Sequence, residues 1–134
     1  MRAGGVPWEI GRSVSSAGVV SAIHARLPKD PMNKLERAFY EQWLVPGVAH
    51  GNIEFVVFDQ IKLRLGTRCW YTPDFWVRTQ RGQHVIYETK GFWRDDARVK
   101  IQTAAKQYAE LLTFVAATRA RASGAWTLIE IDAR

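Results

Sequence analysis

Three residues stand out for their type and spacing: Asp74, then Glu88 fourteen positions later, with Lys90 two residues beyond it. In an extended strand successive side chains alternate, so Glu88 and Lys90 share one face. Asp74 joins them if the intervening segment folds back as a hairpin in the right register. A three-residue loop at Gln80-Arg81-Gly82 pairs Thr79 with Gln83, and so Asp74 with Glu88. Such loops favour a left-handed residue in the last position, where Gly82 stands. A two-residue loop at Arg81-Gly82 would slip the register by one and send the carboxylates to opposite faces. The glycine favours the first arrangement. Thr72-Pro73 drives the approach to Asp74 towards extended geometry, and Gly91 permits an abrupt exit after Lys90.

Two carboxylates on one sheet surface repel and raise each other's pKa unless a cation intervenes. A hard divalent ion such as Mg²⁺ takes oxygen ligands and keeps several waters. Lys90 beside it would hold a water or stabilise charge on a phosphate under attack. The chemistry expected is metal-assisted phosphodiester hydrolysis. Singly, Asp74 or the common Glu-x-Lys pattern reads as a surface ion pair worth about 0–1 kcal/mol; together they are more specific.

The surrounding pattern predicts an α/β sheet with helices packed on it. A helix is expected over residues 31–44, with Asp30 as N-cap and Pro31 at the first helical position. Met32, Leu35, Phe39 and Trp43 form its buried stripe, and Pro46-Gly47 end it. Runs rich in branched and aromatic residues predict strands at 53–58, 61–65, 75–78 and 84–90. A second helix is expected over 95–112, its apolar face Ile101, Ala104, Ala105, Tyr108, Leu111 and Leu112. Residues 114–118 read as a continuation of that helix or as a strand, with strand favoured, and 126–131 as a final strand. Residues 31–134 form the expected domain. Residues 1–30 read as an N-terminal arm, with Val19, Val20, Ile23 and Leu27 at the spacing of a short helix.

Composition narrows the partners. Nineteen Lys and Arg against thirteen Asp and Glu give a net charge of +6 in 134 residues, a balance suited to a polyanion because bound phosphates release counterions. A solvated basic surface is the plainer alternative. The single Cys69 excludes an internal disulfide framework and a cysteine-rich zinc site, and fits a reducing cytoplasm. No run approaches the roughly 20 apolar residues that span a bilayer, and the N-terminus does not read as a secretory signal. Arg64, Arg68, Arg94, Arg98, Lys100 and Lys106 are candidate DNA-phosphate contacts, each equally explicable as solvated charge. Phe92 and Trp93 would stack on unpaired bases or cap a core, and core is favoured; Trp43, Trp70, Trp76 and Trp126 read as core, and Cys69 as a buried small residue. The three histidines lack metal-ligand spacing.

Pro73-Asp74 followed by Glu88-Thr89-Lys90 resembles the PD-(D/E)XK nuclease superfamily. With Asn33-Lys34-Leu35-Glu36, Tyr71-Thr72-Pro73-Asp74-Phe75 and Tyr87-Glu88-Thr89-Lys90-Gly91, the pattern is similar to the phage endonuclease I and Holliday-junction resolvase branch, over residues 31–110. The resemblance implies a central mixed β-sheet flanked by helices, the restriction-endonuclease-like fold. It implies Mg²⁺ with Mn²⁺ as substitute, cleavage of branched or duplex DNA, a homodimer, and the cytoplasm of a bacterial or phage-infected cell. Asp74 and Glu88 would be metal ligands, Lys90 the catalytic lysine, and the Thr89 backbone carbonyl a further ligand. Glu36 would complete the acidic site, the reading the resemblance favours; the alternative is that Asn33-x-x-Glu36 forms a helix capping box. Cutting both strands asks for two protomers about a two-fold axis, with the N-terminal arm a candidate for their interface. Two alternatives stay open: an endonuclease on linear duplex, of restriction, repair or transposition type, and a non-catalytic DNA-binding module of the same fold.

Overall fold

The computed structural model describes residues 32–132. The expectations for the arm at 1–30, its short helix, Asp30 and Pro31 lie outside the described residues. By internal contacts the chain divides into two units, one containing 32–57 and 77–83, the other 58–76 and 84–132.

In the first unit, α1 (Lys34–Phe39) runs into a π-helical turn (Tyr40–Leu44) and then α2 (Val45–Ala49). The N-cap of α1 is Asn33: its side chain accepts from the Glu36 N–H at 2.8 Å. Pro46 and Gly47 do not end the helical run. Pro46 falls in the first turn of α2, where a missing N–H is tolerated. Just before it the Val45 N–H reaches back five residues to the Tyr40 carbonyl. This wider turn adds a residue to the repeat and rotates the faces. Leu44 is therefore fully buried, and Trp43, expected in the core, is 42% exposed. Gly47 serves packing: a Cβ there would stand 2.5 Å from Ile53 Cδ1.

The strands are β1 (Ile53–Phe58), β2 (Leu63–Gly66), β3 (Cys69–Tyr71), β4 (Phe75–Thr79), β5 (His84–Thr89), β6 (Thr113–Arg119) and β7 (Trp126–Glu130). Five form one sheet in the order β1-β4-β5-β6-β7, and β2 with β3 makes a separate hairpin. β5 and β6 are parallel, β6 and β7 antiparallel, so the sheet is mixed and the class α/β. Residues 114–118 lie in a strand, the favoured reading. β3 was not expected.

The core of the second unit gathers Tyr71, Ile86, Ile101, Ala104, Ala105 and Phe114, with Ile61, Leu63, Leu65 and Trp93 packed against it. Its helix α3 (Asp95–Gln107) carries Asp95 and Asp96 in the first turn, where negative charge complements the helix dipole. It stops before the expected end, because residues 108–111 form a turn. Tyr108 there donates its hydroxyl to the Arg64 carbonyl at 2.7 Å. Leu111, expected on the buried face, is consequently 71% exposed. Among the described residues no helix is long and apolar enough to cross a membrane.

Candidate active site

The turn between β4 and β5 takes the three-residue form. The Thr79 N–H donates to the Gln83 carbonyl and the Gly82 N–H to the Thr79 carbonyl, each at 2.9 Å. Gly82 holds a φ of 84°, the left-handed conformation glycine adopts without steric cost. This is the loop form expected to set Asp74 beside Glu88, and those two residues are in hydrogen-bonding contact.

Asp74 sits between two anchors. Pro73 and Phe75 have fully buried side chains, and the Asp74 carbonyl accepts from the Asp59 N–H at 2.9 Å. The Asp74 N–H donates to Glu88 Oε1 at 3.3 Å. Its carboxylate turns to Thr89: Oδ2 accepts from both the backbone N–H and the hydroxyl of Thr89, each at 2.9 Å. In extended backbone a residue's N–H and C=O leave the same edge of the strand. The Thr89 carbonyl therefore lies on the edge that faces Asp74, while the next N–H, that of Lys90, bonds the Ala117 carbonyl of β6 at 3.0 Å.

Glu88 is only 6% exposed, yet it is well supplied with donors. Oε1 accepts from the Tyr71 hydroxyl at 2.8 Å, and Oε2 lies 3.2 Å from Lys90 Nζ. Burial pushes its pKa up to about 7; the Asp74 charge adds to the rise, and Tyr71 and Lys90 oppose it. Burial, with the neighbouring Glu88 charge, likewise raises the Tyr71 phenol far above its ordinary range, so this group remains a donor. The Lys90 ammonium also stands 5.9 Å from the centroid of the Trp93 ring, within cation–π range.

Of the expected site residues, the second unit brings together Asp74, Glu88, Thr89 and Lys90. Glu36 belongs to the first unit, where its carboxylate accepts from the Asn33 N–H at 2.9 Å and closes a capping box. Among the described residues no group of three or more His, Cys, Asp and Glu side chains converges as a metal cage. The donor set at hand is two carboxylates with a backbone carbonyl, all hard oxygens. Glu88, held near neutral pKa by burial and a second carboxylate, is the kind of group a hard cation relieves. On these grounds the residues fit Mg²⁺.

Of the candidate phosphate contacts, Arg64 lies on β2 and Arg68 at the tip of its hairpin. Arg94 caps α3 and pairs loosely with Asp96 at 3.8 Å; Arg98, Lys100 and Lys106 are exposed along that helix. Two further aromatics expected in the core, besides Trp43, are not there. Trp70 is 47% exposed and Phe92 79%, whereas Trp93 is partly buried against the core.

Tyr71 lies within the motif around Asp74, but its residue type and position alone point to no role there. The missed signal was the strand Cys69–Tyr71, short but closed by two aromatics directly after a turn. No family model, curated protein or solved structure matches the chain.

Proposed function

We propose that this protein is a divalent-metal-dependent endodeoxyribonuclease, with Asp74, Glu88 and Lys90 at its centre. The observation that carries the reading is the state of Glu88: a buried carboxylate beside a second carboxylate, with a lysine ammonium on its outer oxygen. A purely structural ion pair has no need of the second acid, whose charge opposes it.

Asp74 and Glu88, with the Thr89 carbonyl, would hold Mg²⁺, which when bound supplies Lewis-acid polarisation of a phosphoryl oxygen. The protein's own part is positioning and charge. Thr89 fixes the Asp74 carboxylate through two hydrogen bonds, and Tyr71 fixes Glu88 from the buried side. Lys90, partly exposed at the end of β5, presents a positive charge to a phosphate and stabilises the negative charge that develops there. The substrate we propose is branched DNA such as a four-way junction, with two copies of the chain cutting opposite strands.

An Mg²⁺-dependent cleavage assay on four-way junctions, linear duplex and single strands tests this. Glu88→Gln and Asp74→Asn should abolish cutting while DNA binding persists. Cleavage by both variants at the wild-type rate would remove the site. A preference for linear duplex would keep the nuclease and discard the junction substrate.

A further inference from the structure

The hairpin of β2 and β3 has two unlike faces. Ile61, Leu63 and Leu65 pack against the core of the second unit and Tyr71 is part of it. Lys62, Arg64, Arg68 and Trp70 are exposed. Arg64 and Trp70 are cross-strand partners, which places a guanidinium and an indole side by side on one surface. No acidic residue occurs between Gln60 and Tyr71, so nothing on the hairpin itself neutralises its three cations. The hairpin is also braced from behind: Gln107 Nε2 and the Tyr108 hydroxyl both donate to the Arg64 carbonyl, at 3.1 and 2.7 Å. A half-exposed tryptophan on a rigid basic ribbon is what a flexible polyanion with flat faces would recognise. Bases stack on the ring, and phosphates meet the cations.

We propose that this hairpin binds an unpaired stretch of DNA, with Trp70 stacking on a base and Lys62, Arg64 and Arg68 meeting the flanking phosphates. The inference deepens the nuclease reading, on which it rests for the choice of DNA, and names an unpaired segment beside the cut as the preferred substrate feature. Proximity supports this. Trp70 faces outward, while the next residue, Tyr71, turns inward to bond Glu88. A base stacked on Trp70 is thus held one residue along the chain from the group that orients the candidate carboxylate. Duplex DNA keeps its bases stacked on one another and offers the ring nothing in return; it would use the cations alone.

The test is binding of the full-length chain, in EDTA to prevent metal-dependent cutting, to a dye-labelled single-stranded oligonucleotide and to the matching duplex. Trp70→Ala should weaken single-strand binding about tenfold and leave duplex binding unchanged, and Trp70→Phe should retain most of the affinity. Arg64→Ala should weaken both and lower the salt dependence by about one counterion. Thermal melting of each variant checks that the fold persists. Equal loss on both ligands in Trp70→Ala, no loss on either, or a Trp70→Phe as poor as alanine would overturn the stacking role. Failure of the wild type to bind either oligonucleotide would overturn the proposal and point to a partner other than nucleic acid. Cleavage with Mg²⁺ is read separately. Wild type that binds through Trp70 but never cuts would keep the hairpin and remove the nuclease. Wild type that cuts while Trp70→Ala binds normally would do the reverse.

Discussion

Tyr71 and Glu88 are joined by a buried hydrogen bond of 2.8 Å from the phenol to Oε1, and this bond decides which carboxylate oxygen faces Lys90. With Oε1 occupied by the phenol and the Asp74 N–H, Oε2 is the oxygen presented to the lysine at 3.2 Å. It also ties β3, on the basic hairpin, to β5 of the central sheet.

Removing the phenolic oxygen tests that arrangement. Tyr71→Phe keeps a ring that lies 6.4 Å from Phe114 and deletes one donor to a buried carboxylate. Hydrogen bonds to charged groups contribute about 1.5–3 kcal/mol and neutral ones about 1. The variant should therefore lose about 2 kcal/mol at about pH 8.5, where Glu88 is charged, and about 1 kcal/mol at about pH 5.5, where it is protonated. Urea unfolding at the two pH values measures both. A loss independent of pH would show that the phenol serves packing rather than the carboxylate.

The turn preceding β5 offers a second test. Gly82 has a φ of 84°, and no atom beyond its own chain neighbours lies within 4 Å of where a Cβ would stand. Substitution there meets a conformational cost with no clash. Gly82→Ala should destabilise by about 1–2 kcal/mol, and Gly82→Asn by less, because asparagine tolerates the left-handed region. Equal losses in denaturant unfolding would show that something other than backbone conformation is at work.

The placement of Asp74 beside Glu88 and Lys90 was more legible in the sequence than the packing around it. A glycine at the end of a three-residue loop sufficed to choose the register, because a slip of one residue reverses every side chain. Strand β1 was legible from its run of branched and aromatic residues, with bounds as observed. The helical run 34–49 was not. A π turn leaves no mark in a hydrophobic periodicity, and Pro46 reads as a terminator unless the turn before it is known. Trp70 was misassigned for a related reason: hydrophobic size argues for burial, but β3 is too short to display the alternation that sends Trp70 outward and Tyr71 inward. For Glu36 the family pattern outweighed the capping spacing, yet its capping bonds are local contacts that such a spacing reports well.

The raised pKa of Glu88 makes a prediction about stability whose sign is unusual for a carboxylate next to a lysine. In the folded chain the group titrates near about 7, against an ordinary value of 4.5. Between these values the folded state keeps a proton that the unfolded state has released. Unfolding then sheds a proton, so stability falls as pH rises through this window. The contribution is fully present below the unfolded value and lost above the folded one; a shift of this size corresponds to roughly 3 kcal/mol. Glu88→Gln should flatten that part of the pH–stability curve, and the difference between wild type and variant isolates it from other groups. Mg²⁺ should act oppositely, since it requires the charged carboxylate and its binding releases the proton. Melting temperatures in EDTA should therefore fall from about pH 5 to about pH 8, and addition of Mg²⁺ should recover them most at the alkaline end. Recovery by Mg²⁺ that is equal at both ends, or equal in Glu88→Gln, would mean that the ion binds elsewhere and that Glu88 is held near neutrality for some other purpose.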